Sequence, residues 1–409
     1  MVTGEYNQVF GIMNIDDDCS EKNCFKGELK PAILHEEIHY LQNYSTLYGV
    51  NMSIEVMSEL LKSFEDVRKG KLLTLNSEED FVKTSFDVIE GDNKQIRCHS
   101  IEEVEYKRFL KEFYSEVYGE CLTNEYDTVI LKFHSGNDEY LFGGAAICES
   151  MAYLFEVLVF EVDDYSRQFP YNACEMIYEY YWNKKCEDVE ALIFLCFISL
   201  MHRYPGVTFS YYMKSLADEK IFSLQDILRL YYNKIHYISE EQIAHLNDRI
   251  DFLFPSEFDE VQDNKLFSNY YEKIIKANRW LKEQYGGARK AQETVIKTLY
   301  SLLEINDIEF KRKCLQAFLL KYYGKPVIYD CNGKLYDDDE SRLMLFAPLV
   351  LYKYLIGKEK GCLLYKICKN YNNKYENICE MDLLKHKTKD SVCLVRFYLY
   401  IMGLEDVDL

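Results

Sequence analysis

The sequence predicts an α+β protein that is predominantly α-helical, with a small sheet in its first half. Apolar residues recur at helical spacing along most of the chain, while segments rich in β-branched residues are few and short. Proline (6 residues) and glycine (18 residues) are scarce, so few long loops are expected. A chain of 409 residues is long enough for two regions, which we assign to 1–255 and 256–409.

The first elements lead into a helix that carries histidines. Residues 5–13 predict a short strand. A helix is predicted from about 30 to 48, because Pro31 is tolerated in a first helical turn and an apolar stripe follows at helical spacing. The residues of this stripe are Leu34, Ile38 and Leu41.

Three more elements are predicted before residue 135. A helix is predicted over about 52–68, where Met57, Leu60, Leu61 and Phe64 form an apolar stripe, and another over 100–118, which is rich in charged residues. Residues 127–134 form the clearest strand of this half, because β-branched residues such as Val129 and Ile130 follow one another there.

The middle of the chain is predicted to be helical throughout. Residues 143–160 are predicted to form an almost wholly apolar helix. Its first residues are small, which would let the helix approach a neighbouring helix closely. Further helices are predicted at about 171–183, 187–203, 208–218, 223–235 and 239–254. The helical pattern breaks at 254–260, which we take as the boundary between the two regions.

The region 256–409 is predicted to be helical up to about residue 323. Residues 326–337 then predict a short hairpin, because Asn332-Gly333 favours a tight turn. Two apolar helices are predicted near 341–357 and 389–403. This region contains no chemical motif, and it could bind a protein partner.

The composition argues against several classes of function. A net charge of -20 and a pI near 5.0 leave no basic footprint for nucleic acid. The longest apolar run, residues 191–201, is too short to cross a bilayer, so no membrane partner is expected. The 14 cysteines include no Cys-x-x-Cys pair, and the first residues lack a secretory pattern. We therefore expect a reducing, cytoplasmic location.

Residues 35–39 read His-Glu-Glu-Ile-His and fit the pattern His-Glu-x-x-His. On a helix, His35 and His39 lie one turn apart on the same face, where their nitrogens could bind Zn²⁺. Glu36 projects beside them and could take a proton from a metal-activated water. The sequence therefore predicts a zinc site with Glu36 as the general base.

Catalytic zinc has three protein ligands, and two glutamates compete for the third position. Glu149 is preferred, because a lone carboxylate in an apolar helix is costly to bury unless a cation compensates its charge. Glu59 follows His39 by about twenty residues, but it is on the polar side of its helix. The competing explanation for Glu149 is a narrow polar stripe that it shares with Glu156.

These residues resemble the gluzincin branch of zinc metallopeptidases. In that family, two histidines of the first motif and a glutamate from a later helix bind zinc, and the motif's own glutamate is the general base. The resemblance implies His35, His39 and Glu149 as ligands, Glu36 as the base, and a protein or peptide as the substrate. It also implies a zincin-like fold for 1–255. Without a secretory signal, a narrow intracellular target is the natural expectation.

The chain departs from the gluzincin pattern in two respects. About 110 residues separate His39 from Glu149, a longer gap than in the thermolysin type. Tyr153 also stands where those enzymes often have an aspartate, four residues after the glutamate. The residue that orients a histidine ligand is therefore left open.

A peptidase also needs a donor for the oxyanion that develops on the substrate. His202 and Tyr204 are the candidates, because they follow a buried helix and precede Pro205-Gly206, where side chains can reach a cleft. The competing explanation is that His202 and Arg203 satisfy the end of that helix.

Two other classes of function remain open. Glu36 and His39 are half of a helical di-metal carboxylate motif, although no second Glu-x-x-His occurs in the sequence. The second alternative is a non-catalytic helical interaction protein whose metal site is structural or vestigial.

Overall fold

The computed structural model describes the following residues: 4–7, 10–15, 31–69, 89–97, 100–115, 120–134, 139–160, 168–232, 236–255, 265–322, 327–330, 334–335, 340–355, 362, 364–365, 367–368 and 393–402. Within these ranges lie thirteen α-helices and eight strands in small sheets. The predominantly helical α+β fold class is confirmed.

The helix that carries the motif is the first of two consecutive helices, α1 (Pro31–Ser45) and α2 (Leu47–Arg68). The single helix predicted to about residue 48 is instead interrupted at Thr46. The Thr46 hydroxyl donates to the carbonyl of Gln42 (2.6 Å) and accepts from the backbone N–H of Gly49 (3.0 Å). The Thr46 side chain thus forms hydrogen bonds with backbone groups at the break between the two helices. The second helix, α2, begins at Leu47, earlier than the predicted residue 52.

A three-stranded sheet contains β1 (Gly4–Asn7), β2 (Ile12–Ile15) and a later strand, β8 (Val327–Asp330). β1 and β2 form an antiparallel hairpin in place of the single strand predicted over 5–13. The chain reverses through Gly11, whose φ of +62° is in the left-handed region that favours glycine.

β8 joins the second half of the chain to this sheet. It lies parallel to β2, with Ile12 opposite Val327. Tyr329 also forms an antiparallel bridge with Leu335, which fits the predicted hairpin. The predicted Asn332-Gly333 turn lies outside the described residues.

The second sheet contains the long strands β4 (Ile101–Ser115) and β5 (Glu120–Phe133), which run antiparallel. β6 (Glu139–Phe142) pairs with the end of β5. The prediction of a helix over 100–118 is therefore wrong, because pairing with a strongly β-forming partner stabilises a strand in a segment whose many charged residues were taken as helical. Cross-strand ion pairs support the pairing, since the Lys132 ammonium lies 2.9 Å from both Glu103 and Glu105.

Two short strands, β3 (Ile96–Arg97) and β7 (Gln168–Phe169), pair in a further antiparallel sheet. Among the described residues between 144 and 253 lie six helices, and each corresponds to a predicted one. They are α3 (Gly144–Phe160), α4 (Ala173–Trp182), α5 (Val189–Ser199), α6 (Pro205–Glu219), α7 (Leu224–Tyr232) and α8 (Glu240–Leu253). α6 begins three residues before the predicted position, since Pro205 occupies its first turn.

The later part of the chain is also mostly helical, as predicted. Its α-helices are α9 (Lys265–Gly286), α10 (Ala288–Leu303), α11 (Ile308–Tyr322), α12 (Phe346–Leu355) and α13 (Leu394–Ile401). A 3₁₀ helix (Glu340–Leu345) leads into α12, where one helix had been predicted over 341–357.

α1 lies at the centre of the molecule. It packs against α2, α3 and α10, so helices on both sides of residue 255 surround it. Buried residues from Phe10 to Met402 belong to one hydrophobic cluster, and a smaller cluster between α1 and the β1-β2-β8 sheet includes Ile33 and Ile328. The division into regions at residue 255 stays a prediction.

α5 is buried over its whole length, as its apolar sequence predicts. Among the helices of the described ranges, none combines the length and the apolarity that a membrane crossing requires.

Candidate metal centre

Three predicted ligands come together between α1 and α3. One ligand atom from each of His35, His39 and Glu149 lies within 4.8 Å of the others. Nε2 of His35 is 3.1 Å from Oε2 of Glu149, and Nε2 of His39 is 3.6 Å from Oε1 of the same carboxylate. Of the residues that the structure describes, these three form the one such group that could hold a metal ion.

The helices explain how side chains 110 residues apart meet. His35 and His39 are one turn apart on α1, and their ring centroids are 4.8 Å apart. α3 packs along α1 and begins with small residues, as the sequence predicted. A Cβ at Gly144 would overlap the ring of Tyr48 on α2, so glycine is required where the start of α3 passes that helix.

Both imidazoles are held in the orientation that a metal ligand needs. Nδ1 of His35 donates to Oε1 of Glu156 (2.6 Å), and Nδ1 of His39 donates to Oε1 of Gln42 (2.8 Å). The amide of Gln42 in turn donates to the carbonyl of Cys148 (3.0 Å), which turns its oxygen toward His39. When Nδ1 carries the proton, the neutral ring presents the lone pair of Nε2 to the centre.

The group is mostly shielded from water. The side chains of His35, His39 and Glu149 are 12%, 8% and 20% exposed. Burial alone lowers the pKa of His35, but hydrogen bonds with Glu149 and Glu156 outweigh it and raise that pKa to about 10. Burial opposes ionisation of Glu149, yet the two histidines hold its pKa well below the usual range.

The same opposing effects act on the pKa of His39. Burial lowers its pKa, and the charge of Glu149 together with a hydrogen bond to that carboxylate raises it overall. The negative carboxylate thus attracts positive charge to both imidazoles, as it would attract a cation placed between them.

Glu36 lies on α1 next to His35 and is 4% exposed. Burial is the main cause that raises its pKa, while the positive charge of His39 and then of His35 acts in the opposite direction. A carboxylate whose proton affinity is raised by burial is better suited to accept a proton near neutral pH. The role of Glu36 as general base stays a prediction.

The candidate ligand atoms are close enough together to surround one metal ion. One atom from each side chain lies within 4.8 Å of the others, and the imidazole nitrogens of His35 and His39 are 3.1 and 3.6 Å from the two different oxygens of the Glu149 carboxylate. A cation bound there would compete with protons for the imidazole nitrogens.

An aromatic side chain from the turn after β7 borders the group. The ring of Tyr171 is 6.0 Å from that of His35, at an interplanar angle of 63°. Burial raises the pKa of Tyr171, and the charges of Glu149, Glu36 and Glu156 raise it further. The phenol therefore keeps its proton at neutral pH.

The remaining predicted residues contact other parts of the molecule. Glu59 is exposed on α2, and Glu149 is the glutamate that lies with the two histidines. The hydroxyl of Tyr204 donates to the carbonyl of Glu125 (3.2 Å). His202 is buried, with its Nε2 3.3 Å from the hydroxyl of Tyr212. The role of His202 and Tyr204 as oxyanion donors stays a prediction.

Sequence reasoning did not assign roles to Gln42, Glu156 or Tyr171. Signals for the first two were present, because Gln42 shares a helix face with the histidines and Glu156 follows Glu149 by two turns. The sequence offers the polar stripe of Glu149 and Glu156 as an alternative to metal binding. In the structure both residues of the stripe contact the candidate metal centre, since Glu149 and Glu156 each form a hydrogen bond with His35.

No family model matches this sequence, and comparisons with curated proteins and with solved structures also gave no match.

Proposed function

We propose that the chain is a zinc-dependent peptidase, with His35, His39 and Glu149 as the metal ligands and Glu36 as the general base. The observation that carries this proposal is the orientation of the imidazoles. Both Nε2 atoms face Glu149, while oxygen acceptors hold both Nδ1 atoms. If the two histidines shared a helix face by chance, there would be no reason for both rings to have Nδ1 hydrogen-bonded to an oxygen and Nε2 directed at the same carboxylate.

The donor set favours zinc over other metals. Two imidazole nitrogens and one carboxylate oxygen are the ligands of several catalytic zinc sites, which keep a fourth position for water or substrate. A site for calcium or magnesium would need mainly oxygen ligands. The di-metal alternative is less well supported, because a second Glu-x-x-His is absent from the sequence.

A bound zinc would act as a Lewis acid toward water and the scissile carbonyl. Glu36 takes one proton from the attacking water as its oxygen bonds to the carbonyl carbon and the C=O π electrons move onto oxygen. Glu36 then gives this proton to the amide nitrogen as the C–N bond breaks, which leaves an acid and an amine. Glu156 and Gln42 keep the imidazoles oriented throughout.

We propose a narrow protein or peptide target in a reducing compartment such as the cytoplasm. The thiols support this location: cysteines such as Cys148, Cys174 and Cys196 are buried and unpaired. A sample that rapidly digests generic unfolded proteins would contradict the narrow specificity.

Metal content tests the site. Wild type, His39→Ala and Glu149→Ala would be purified without added metal and analysed by elemental mass spectrometry. We expect about one zinc per wild-type chain, and its loss in both variants, because each removes a ligand. A folded wild type without metal would contradict the proposal, and zinc retained in Glu149→Ala would exclude Glu149 as a ligand.

Glu36→Gln tests the chemistry separately from the metal. The amide keeps the shape of the side chain but cannot accept the proton, so we expect zinc to be retained and hydrolysis of a degenerate peptide mixture to be lost. Cleavage at the wild-type rate would show that Glu36 is not the base. If the zinc-loaded wild type cleaves no peptide, the protein is better explained as a metal-containing interaction protein.

A further inference from the structure

The turn between β7 and α4 brings Tyr171 to the border of the metal centre. Its ring contacts that of His35 at 6.0 Å and that of Tyr153 at 6.4 Å. Tyr171 is only half-buried, whereas His39 and Glu36 are buried. The side chain is therefore next to the ligands and can still be reached by a substrate.

The turn is attached to the helix that supplies Glu149. The hydroxyl of Ser150, the residue after Glu149, donates to the carbonyl of Pro170 (2.8 Å) and accepts from the backbone N–H of Cys174 (3.3 Å). On the other side, Phe169 is fully buried and pairs with Ile96 in the small sheet. Tyr171 therefore has a fixed position relative to the ligand carboxylate, as preorganised catalysis requires.

Gln95 links the Tyr171 hydroxyl to the neighbouring strand. The amide of Gln168 donates to Oε1 of Gln95 (2.7 Å), and the side chain of Gln95 also forms a hydrogen bond with the Tyr171 hydroxyl. A phenol oxygen can accept one hydrogen bond while its O–H donates another, so the hydroxyl has the capacity to bind a substrate oxygen as well.

We propose that Tyr171 donates a hydrogen bond to the carbonyl oxygen of the substrate as that oxygen becomes an oxyanion. This inference rests on the proposed peptidase function. The tyrosine stays protonated, and its hydrogen bond is strongest when the C=O electron pair has moved onto oxygen. Tyr171 thus takes the role that the sequence predicted for His202 or Tyr204, whose described partners are Tyr212 and the carbonyl of Glu125.

Tyr171→Phe removes the hydroxyl and keeps the ring, and Tyr153→Phe is the matched control on the neighbouring ring. Zinc content is measured first, and binding of methylphosphonate, a tetrahedral anion, is then measured by calorimetry on the zinc-loaded proteins. We expect Tyr171→Phe to keep one zinc and to bind the anion at least tenfold more weakly, because a hydrogen bond to a charged group is lost. Tyr153→Phe should bind it like wild type.

Kinetics on a fluorogenic peptide mixture give the second readout. Tyr171→Phe should lower kcat by about 100-fold with little change in KM, as for loss of one oxyanion donor. Unchanged anion affinity and kcat in a zinc-loaded Tyr171→Phe would overturn this inference and leave the peptidase proposal intact. A drop caused instead by Tyr204→Phe or His202→Ala would also overturn it. A wild type that binds no zinc would overturn both proposals.

Discussion

At the scale of single residues, the orientation of His35 and His39 depends on two side chains outside the proposed set of metal ligands. Gln42 is 2% exposed and has both amide groups engaged, with His39 and with the carbonyl of Cys148. Oε1 of Glu156 accepts a hydrogen bond from Nδ1 of His35 (2.6 Å). Since a neutral imidazole has one N–H, these bonds determine which nitrogen can bind a cation.

Glu156→Ala should therefore weaken zinc binding although it removes no ligand. Loss of an outer partner of a ligand histidine reduces metal affinity by about 10–100-fold. Glu156→Gln keeps an oxygen acceptor and should cost less. Competition with a chromogenic chelator measures both affinities.

Glu59→Ala is the control for this prediction. It removes an exposed glutamate from α2, the helix that follows the site helix, and should leave zinc affinity unchanged. Equal affinity in Glu156→Ala and wild type would show that His35 needs no orienting partner. Loss of zinc in Glu59→Ala would make Glu59 a ligand instead of Glu149.

At the scale of elements, the centre depends on how closely α2 and α3 approach their neighbours. After the break at Thr46, α2 turns back so tightly that a Cβ on Gly49 would lie 2.5 Å from backbone atoms of Gln42 and Asn43. The contact involves backbone and not flexible side chains, so it cannot relax cheaply. Gln42, the partner of His39, lies four residues before this break, and its backbone carbonyl accepts the hydrogen bond from the Thr46 hydroxyl.

Gly49→Ala should destabilise the protein by roughly 1–3 kcal/mol, because the added methyl forces the two helices apart. The free energy of unfolding, measured with urea, tests this. Gly286→Ala is the control, because no atom lies within 4 Å of its Cβ position at the exposed end of α9. That change should be neutral or stabilising by less than about 1 kcal/mol. Similar effects of the two substitutions would contradict the close approach.

At the scale of the whole molecule, the later helices are part of the surroundings of α1. The hydroxyl of Tyr285 on α9 donates to Ser53 (2.8 Å), and Ser53 donates to Asn43 on α1 (3.0 Å). Tyr40 also donates to Gln284 (2.7 Å). Residues beyond 255 therefore help to hold the helix that presents the histidines.

Zinc should stabilise the protein as a whole, because an ion bound by His35, His39 and Glu149 would connect helices α1 and α3. Free zinc at 100 times its Kd should add about 2.7 kcal/mol to the free energy of unfolding. Differential scanning calorimetry should show a lower Tm after chelation of wild type. His39→Ala is the control and should show no response to the chelator. A wild-type Tm that does not respond to chelation would indicate that no metal is bound in the folded state.

The sequence by itself determined the helical fold class and the first half of the site. Spacings of three and four residues follow from the helical repeat, so Leu34, Ile38 and Leu41 are buried and His35 and His39 share a face as predicted. The fully buried helix α5 and the apolar helix α3 were likewise recognisable from local pattern alone.

The tertiary structure decided the rest. Whether 101–115 is a helix or a strand depends on its partner β5, because pairing with that strand determines the conformation of a segment that the sequence marks only as rich in charge. The choice of Glu149 over Glu59, and the meeting of Glu156 and Tyr171 with His35, likewise depend on contacts between distant segments. Such contacts arise from the packing of whole elements, which no repeat within a single helix encodes.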